Sequence, residues 1–221
     1  MGNTISGVHH INSNPSQSTD RICIISDGLM APHSIMVSAE NIFFGFGSNE
    51  HGQFGDGWNS LHSKFKMKKL PNLNTTFSSP INCVVKISCG SMHTLFLTNQ
   101  GRVWSAGKNT LGQCGIKRQF GTADPLKKHP VLVSKMEGII DIQCGMSHNL
   151  CASKDGDLWT FGSNGFGECG FGGKMVIDIP RKHSSFDDVN VSKIRCGRSH
   201  SVVIDDGGLC WLFGRNVEWT D

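Results

Sequence analysis

The sequence predicts an all-β protein, a partial β-propeller built of small antiparallel blades. Three observations predict it: marked residues recur in register, glycine is abundant while proline is scarce, and each copy carries apolar runs that need cover on both faces. Counting from His148, Trp159 lies at +11, Gly162 at +14, Asn164 at +16, Gly167 at +19 and Gly170 at +22. The same offsets from His93 reach Trp104, Gly107, Asn109, Gly112 and Gly115, and from His33 they reach Phe44, Gly47, Asn49, Gly52 and Gly55. From His200 they reach Trp211, Gly214 and Asn216. Self-similarity at a steady period marks a repeat architecture. The four histidines stand 60, 55 and 52 residues apart, which sets the size of one unit. Glycine supplies 27 of 221 residues against only 7 prolines. That excess over the roughly 7% of an average protein marks turns rather than a low-complexity chain.

Residues 1–20 are polar and aperiodic, and they are expected to form a flexible tail ahead of a repeat region at 21–221. Met1-Gly2-Asn3-Thr4-Ile5-Ser6 fits the acceptor pattern for N-myristoylation at Gly2. One such chain anchors only marginally, so membrane contact through Gly2 is a weak expectation. Arg21 to Asp27 reads as a short strand ending in a polar turn.

The repeat cores follow at 29–55, 89–115, 144–170 and 196–216. After each histidine come three apolar residues, Ile35-Met36-Val37, Leu95-Phe96-Leu97, Leu150-Cys151-Ala152 and Val202-Val203-Ile204. An unbroken apolar run of strand length means a strand covered on both faces. Turns rich in Asn, Asp and Gly come next, at 99–101, 154–156 and 205–207, and these residues adopt positive φ cheaply. A second strand then carries the aromatic: Phe44, Trp104, Trp159 or Trp211. A third strand precedes each histidine, as in VVKISCG, IIDIQCG and VSKIRCG. Sheets that must each be covered by a neighbour are propeller blades.

The conspicuous side chains are expected to build blades rather than a site. Symmetry spreads His33, His93, His148 and His200 around a ring instead of converging them on one ion. Each imidazole is expected to hydrogen-bond backbone in a buried turn. Phe44, Trp104, Trp159 and Trp211 are expected to pack between blades. The cysteines recur at repeat positions without a CxxC pair, which suits small buried thiols rather than a metal site or a disulfide framework. Gly165 to Gly170 formally spells GxGxxG, but no helical periodicity follows it, as a dinucleotide site would need. No cofactor, metal or catalytic residue is expected, and the chain is read as no enzyme.

Between the cores, variable segments at 56–82, 116–135 and 171–192 are read as rim loops that carry recognition. Lys64, Lys66, Lys68 and Lys69 form a basic cluster suited to an acidic partner. A second basic stretch, Lys127-Lys128-His129, occupies the corresponding place in the next unit and favours lysine-protected edge strands there. The net charge of +3 gives no reason to expect nucleic acid. With no secretory signal and no long apolar run, the expected address is intracellular, cytoplasmic and also nuclear.

CGSMHTLFLTNQGRVWSAGKNTLGQCG (Cys89–Gly115) and CGMSHNLCASKDGDLWTFGSNGFGECG (Cys144–Gly170) resemble the repeat of the regulator of chromosome condensation family. The resemblance covers residues from about 29 to 216. It implies a seven-bladed propeller of four-stranded blades. In the family's founding member one face is a nucleotide exchange factor for the small GTPase Ran and the other binds chromatin. Many other members are interaction modules, some attached to ubiquitin ligases, kinases or trafficking proteins. The resemblance therefore implies a protein-binding module presenting rim loops on a rigid scaffold, with guanine-nucleotide exchange on a Ran-like GTPase as the alternative. About three and a half units are present, against seven in the family ring. The chain is accordingly expected either to complete its ring with another chain or to be a truncated fragment of a larger multidomain repeat protein, such as a ubiquitin-ligase-linked one.

Overall fold

Turns and apolar runs alternate along the chain and fold it into four consecutive antiparallel sheets. The computed structural model describes residues 22–25, 31–38, 42–58, 68–70, 84–118, 126–173 and 175–215. The first blade holds β1 (Ile22–Ile25), β2 (His33–Ser38), β3 (Phe43–Gly47) and β4 (Lys68–Lys69). The second holds β5 (Val84–Cys89), β6 (His93–Thr98), β7 (Val103–Lys108) and β8 (Leu126–Leu132). The third holds β9 (Ile139–Cys144), β10 (His148–Ser153), β11 (Leu158–Ser163) and β12 (Val176–Lys182). The fourth shows three strands among the described residues: β13 (Val191–Cys196), β14 (His200–Asp205) and β15 (Cys210–Gly214). Strands are hydrogen-bonded in chain order within every sheet. A 3-10 turn at Ser184–Phe186 is the one helical element among the described residues, and no helix there is long and apolar enough to cross a membrane.

The repeat offsets are cross-strand pairs. His93 faces Gly107 and Phe96 faces Trp104 across β6 and β7; His148 faces Gly162 and Cys151 faces Trp159 across β10 and β11. The first and fourth blades use the same register, with His33 opposite Gly47 and His200 opposite Gly214. The glycine at +14 answers a close backbone approach. A Cβ on Gly107 would lie 2.4 Å from the Met92 carbonyl oxygen, and one on Gly162 would lie 2.4 Å from that of Ser147. Their φ angles of 111° and 108° exclude other residues on a second count.

The core lies between blades in three slabs. Ile35, Val37 and Phe43 of the first blade meet Val84, Ile87, Phe96 and Ala106 of the second. Leu95, Leu97 and Val103 meet Ile142, Cys151 and Phe161. Leu150, Ala152 and Leu158 meet Val191, Ile194 and Val203. Each central strand therefore points its +2 and +4 residues forward and its +3 residue backward. In β6 and β10 all six residues are buried, as the unbroken apolar runs require. Each Leu- or Phe-sized side chain so covered stabilises by about 1.5–3 kcal/mol.

Two of the three segments read as rim loops differ from that expectation over much of their length. The span 116–135 contains the seven-residue edge strand β8, and 171–192 contains β12 and the 3-10 turn. Their polar composition is that of strands bonded to the sheet along one edge. Lys127, Lys128 and His129 lie on β8 as Lys68 and Lys69 lie on β4, so the two basic stretches occupy equivalent outer strands. Lys69 is exposed. Gly2, Lys64, Lys66 and the tail at 1–20 lie outside the described residues.

Candidate functional site

The repeat histidine begins the central strand of its blade, and its ring turns away from its own sheet. A Cβ on Gly90 would lie 2.1 Å from Cε1 of His93, and one on Gly145 the same distance from Cε1 of His148. The glycine three residues earlier is therefore the space that the ring fills. From there each ring reaches the following blade. His33 Nε2 lies 2.8 Å from Thr94 Oγ1, His93 Nε2 2.8 Å from Asn149 Oδ1, and His148 Nε2 3.0 Å from Ser201 Oγ. All three partners stand one residue after the next blade's histidine.

The partner side chain also reaches back. Thr94 Oγ1 donates to the Gln53 carbonyl (2.7 Å), Asn149 Nδ2 to the Gln113 carbonyl (2.9 Å) and Ser201 Oγ to the Glu168 carbonyl (2.7 Å). Because the Asn149 amide donates there, its Oδ1 is left to accept, so His93 donates through Nε2–H. Each junction is thus a latch of two hydrogen bonds. The carbonyl it takes belongs to the N-x-x-G-[QE] turn of the preceding blade. Asn49, Asn109 and Asn164 shape that turn by accepting from the backbone N–H of Phe54, Cys114 and Cys169, each at 2.9 Å. The acidic or amide side chain closes it, with Gln53 and Gln113 each accepting from the N–H two residues earlier.

The expectation that each histidine bonds backbone in a buried turn is corrected on two points. The ring's partner is a side chain in the next blade, because the glycine gap turns the ring outward. His200, moreover, is exposed, with no blade beyond it among the described residues. The residues missed by sequence reasoning are Thr94, Asn149 and Ser201. Their signal was available: a small hydrogen-bonding side chain follows every repeat histidine, at the head of an otherwise apolar strand.

Burial sets the chemistry of these rings. It lowers the His33 pKa to about 3, helped by the neighbouring His93, and that of His148 to about 3, with a lesser contribution from His93. Burial also takes His93 down to about 4 against the opposing bond to Asn149. Nδ1 of all three rings is buried without a hydrogen-bond partner, so an added proton would have nowhere to go. The rings are neutral structural groups, ill-suited to proton transfer near neutral pH.

The other marked residues are placed likewise. Trp104 and Trp159 are half-buried against the first and second slabs. Phe44 is half-buried on β3. Trp211 meets Phe186 edge-on at 5.2 Å and donates its indole N–H to Asp205 Oδ2 at 3.0 Å, which holds that carboxyl below its usual range. Cys89, Cys144 and Cys196 are buried and step from blade to blade, with Cys144 Sγ 3.2 Å from the Ser88 carbonyl oxygen. Burial pushes the Cys114 thiol up to about 12, which leaves it inert as a nucleophile. A second tie between blades is the ion pair of Lys86 with Asp141 at 2.7 Å.

Radially stacked antiparallel sheets joined by a repeated latch define a segment of a β-propeller. The Regulator of chromosome condensation (RCC1) repeat matches residues 43–97, 100–152 and 155–204, and a second model of the same repeat matches 84–113 and 139–168. The chain belongs to that repeat family. It is 28% identical over 207 residues to the human probable E3 ubiquitin-protein ligase HERC6, covering 91% of this chain and 19% of the relative. It is 26% identical over 220 residues to human Protein RCC2, covering 88% of this chain and 40% of the relative. Among solved structures, Prp20p of Saccharomyces cerevisiae superposes with a TM-score of 0.73 at 21% identity, covering 90% of this chain and 47% of Prp20p. Human WBSCR16 superposes at 0.71 with 23% identity, over 88% of this chain and 47% of its own. The chain thus spans less than half the length of each of these proteins.

Proposed function

We propose that the protein is an interaction module, a latched propeller segment that presents its rim to a protein partner. The observation that supports this reading is where the repeat side chains act. The histidines, tryptophans, asparagines and glycines hold blade to blade or shape turns, which makes a stiff frame. What differs between units lies at the outer strands and their connections, in 56–82, 116–135 and 171–192. Lys64, Lys66, Lys68 and Lys69 are the basic group suited to an acidic partner, and Lys69 is exposed on its edge strand. We further infer an intracellular setting, cytoplasmic and nuclear, in keeping with buried cysteines kept as thiols. The mechanism is rigid presentation, with no chemistry on the partner and no cofactor.

In-cell cross-linking with mass spectrometry tests it. Cross-links to partners are expected on 116–135, 171–192 and the lysine cluster; links confined to the repeat cores would contradict the reading.

A second reading has one observation in its favour. Prp20p, which shares the fold, is a protein with binding properties to Gsp1p and histones. Guanine-nucleotide exchange on a Ran-like GTPase is the corresponding activity. Release of labelled GDP from such a GTPase separates the two readings. The interaction-module reading expects the background rate; acceleration that is lost on altering 171–192 would replace it with exchange. Ligase activity is not carried over from HERC6, since this chain matches 19% of that protein.

A further inference from the structure

The connections from β8 to β9 and from β12 to β13 run between the turns of neighbouring blades, on the side away from the histidines. At the junction of the second and third blades this leaves a cleft of about 430 Å³. Gly101 and Arg102 form one wall, Lys154 and Asp155 the other, and Glu137 and Gly138 the floor. Backbone bonds hold it: the Ile139 N–H donates to the Gly101 carbonyl at 3.1 Å and the Lys154 N–H to the Gly138 carbonyl at 2.8 Å. Both blades have a described neighbour on each side, so the cleft owes nothing to where the chain ends.

The junction of the third and fourth blades has the same backbone and different side chains. There the Val191 N–H donates to the Gly156 carbonyl and the Asp206 N–H to the Asn190 carbonyl, each at 2.9 Å. Asp157, Asn190 and Asp206 therefore stand where Arg102, Gly138 and Lys154 stand. Asn190 Nδ2 bridges to Asp206 Oδ2 at 2.9 Å, and Asp157 pairs with Lys182 at 2.9 Å. Neither tie has a counterpart in the earlier junction. Gly138 has no side chain, and the Lys154 stem lies across it, with Cε 3.0 Å from where a Cβ would sit. Leu132 faces Trp104 as Lys182 faces Trp159, and it offers Arg102 no ionic partner. Arg102, Glu137, Lys154 and Asp155 form no ion pair among the described residues. The walls have changed sign, from Asp157 and Asp206 to Arg102 and Lys154, and their charges are left free.

We propose that this cleft is a docking site for a peptide segment of a protein partner, entered by an acidic side chain with a basic one beside it. Arg102 and Lys154 stand on opposite walls, so a carboxylate between them accepts charge-assisted hydrogen bonds from both sides. Glu137 and Asp155 add two carboxylates to the same small space, and they receive the neighbouring cation. They also select against a phosphate, whose second negative charge would be repelled there. The site rests on the interaction-module reading and adds to the rim segments a contact that only one junction provides.

The experiment is an amide NMR titration of the full chain with a glycine-serine peptide that carries one aspartate followed by one lysine. Saturable shifts are expected at Gly101, Gly138 and Lys154, and binding should weaken as salt is raised. Arg102→Ala and Lys154→Ala alter exposed side chains, and each is expected to weaken binding by about tenfold or more. Gly138→Asn refills the floor and is expected to do the same, since asparagine tolerates the φ of 62° found there. A peptide with serine for the aspartate should not bind, and one with phosphoserine should bind more weakly than the aspartate peptide. No saturable shift up to about 10 mM peptide would overturn the proposal. So would equal binding of the serine peptide, tighter binding of the phosphoserine peptide, or indifference to Arg102→Ala and Lys154→Ala. Such a failure with partner cross-links still found on 116–135 and 171–192 would remove this cleft and leave the interaction module standing.

Discussion

The third blade and the fourth blade use the same pattern and are buried differently. In the third, all six residues of the central strand are buried. In the fourth, the same strand alternates, with His200 exposed and Val202 and Ile204 half-covered. From the cysteine-glycine pair to the asparagine at +16 the repeat positions are the same in both, and they part at +19, where Trp219 stands in place of Gly167. The difference comes from neighbours: the third blade has one on each side, the fourth on one side among the described residues. A blade of this family therefore owes its core to the junctions it makes, and its own sheet supplies only the hydrogen-bonded frame.

Acid should break the inner junctions most strongly. In the unfolded chain each histidine takes up a proton near pH 6.5, whereas the buried rings resist until about 3 to 4. Their contribution is complete above pH 6.5 and falls as pH drops toward 4. The loss is about 1.4 kcal/mol per pH unit for each ring, so on the order of 10 kcal/mol for the three together, enough to unfold the protein. Urea midpoints measured across that window should decline steadily; a flat profile would contradict neutral buried rings.

A cavity should separate the regions next. Phe161→Ala removes a fully buried ring from the second slab and is expected to cost about 3–5 kcal/mol. Phe46→Ala, at 39% exposure, is expected to cost under about 1 kcal/mol. Chemical denaturation of the two variants measures both.

Much of this contrast was legible in the sequence. The offset +14 pairs the histidine with its glycine across two strands, the aromatic at +11 faces the residue at +3, and three apolar residues after each histidine mark strands covered twice. The basic stretches at Lys68-Lys69 and Lys127-Lys128 were readable as equivalent edge strands, which is where β4 and β8 lie. The histidine's partner was harder. Thr94, Asn149 and Ser201 each stand next to a repeat histidine in sequence but serve the previous blade's histidine, more than fifty residues away. A period reports what recurs within a unit and says nothing of how units face each other.

Removing one latch should cost less than the cavity. His148→Ala leaves the Ser201 hydroxyl short of one partner and opens space over Gly145, for an expected loss of about 1–3 kcal/mol. His200→Ala, at an exposed ring, is expected to stay within about 0.5 kcal/mol of wild type. The smallest effect is expected at the ion pair between Lys86 and Asp141, whose side chains are each 27% exposed. Lys86→Ala should cost under about 1 kcal/mol and should matter less in high salt.

A double-mutant cycle on His93 and Asn149 tests the latch most directly. The His93 ring and the Asn149 amide lie on neighbouring blades and meet at 2.8 Å. If that bond joins the blades, His93→Ala and Asn149→Ala should couple by about 1 kcal/mol or more, with the double variant less damaged than the sum of the singles. Additivity within about 0.3 kcal/mol would contradict a latch and leave the histidine as packing alone.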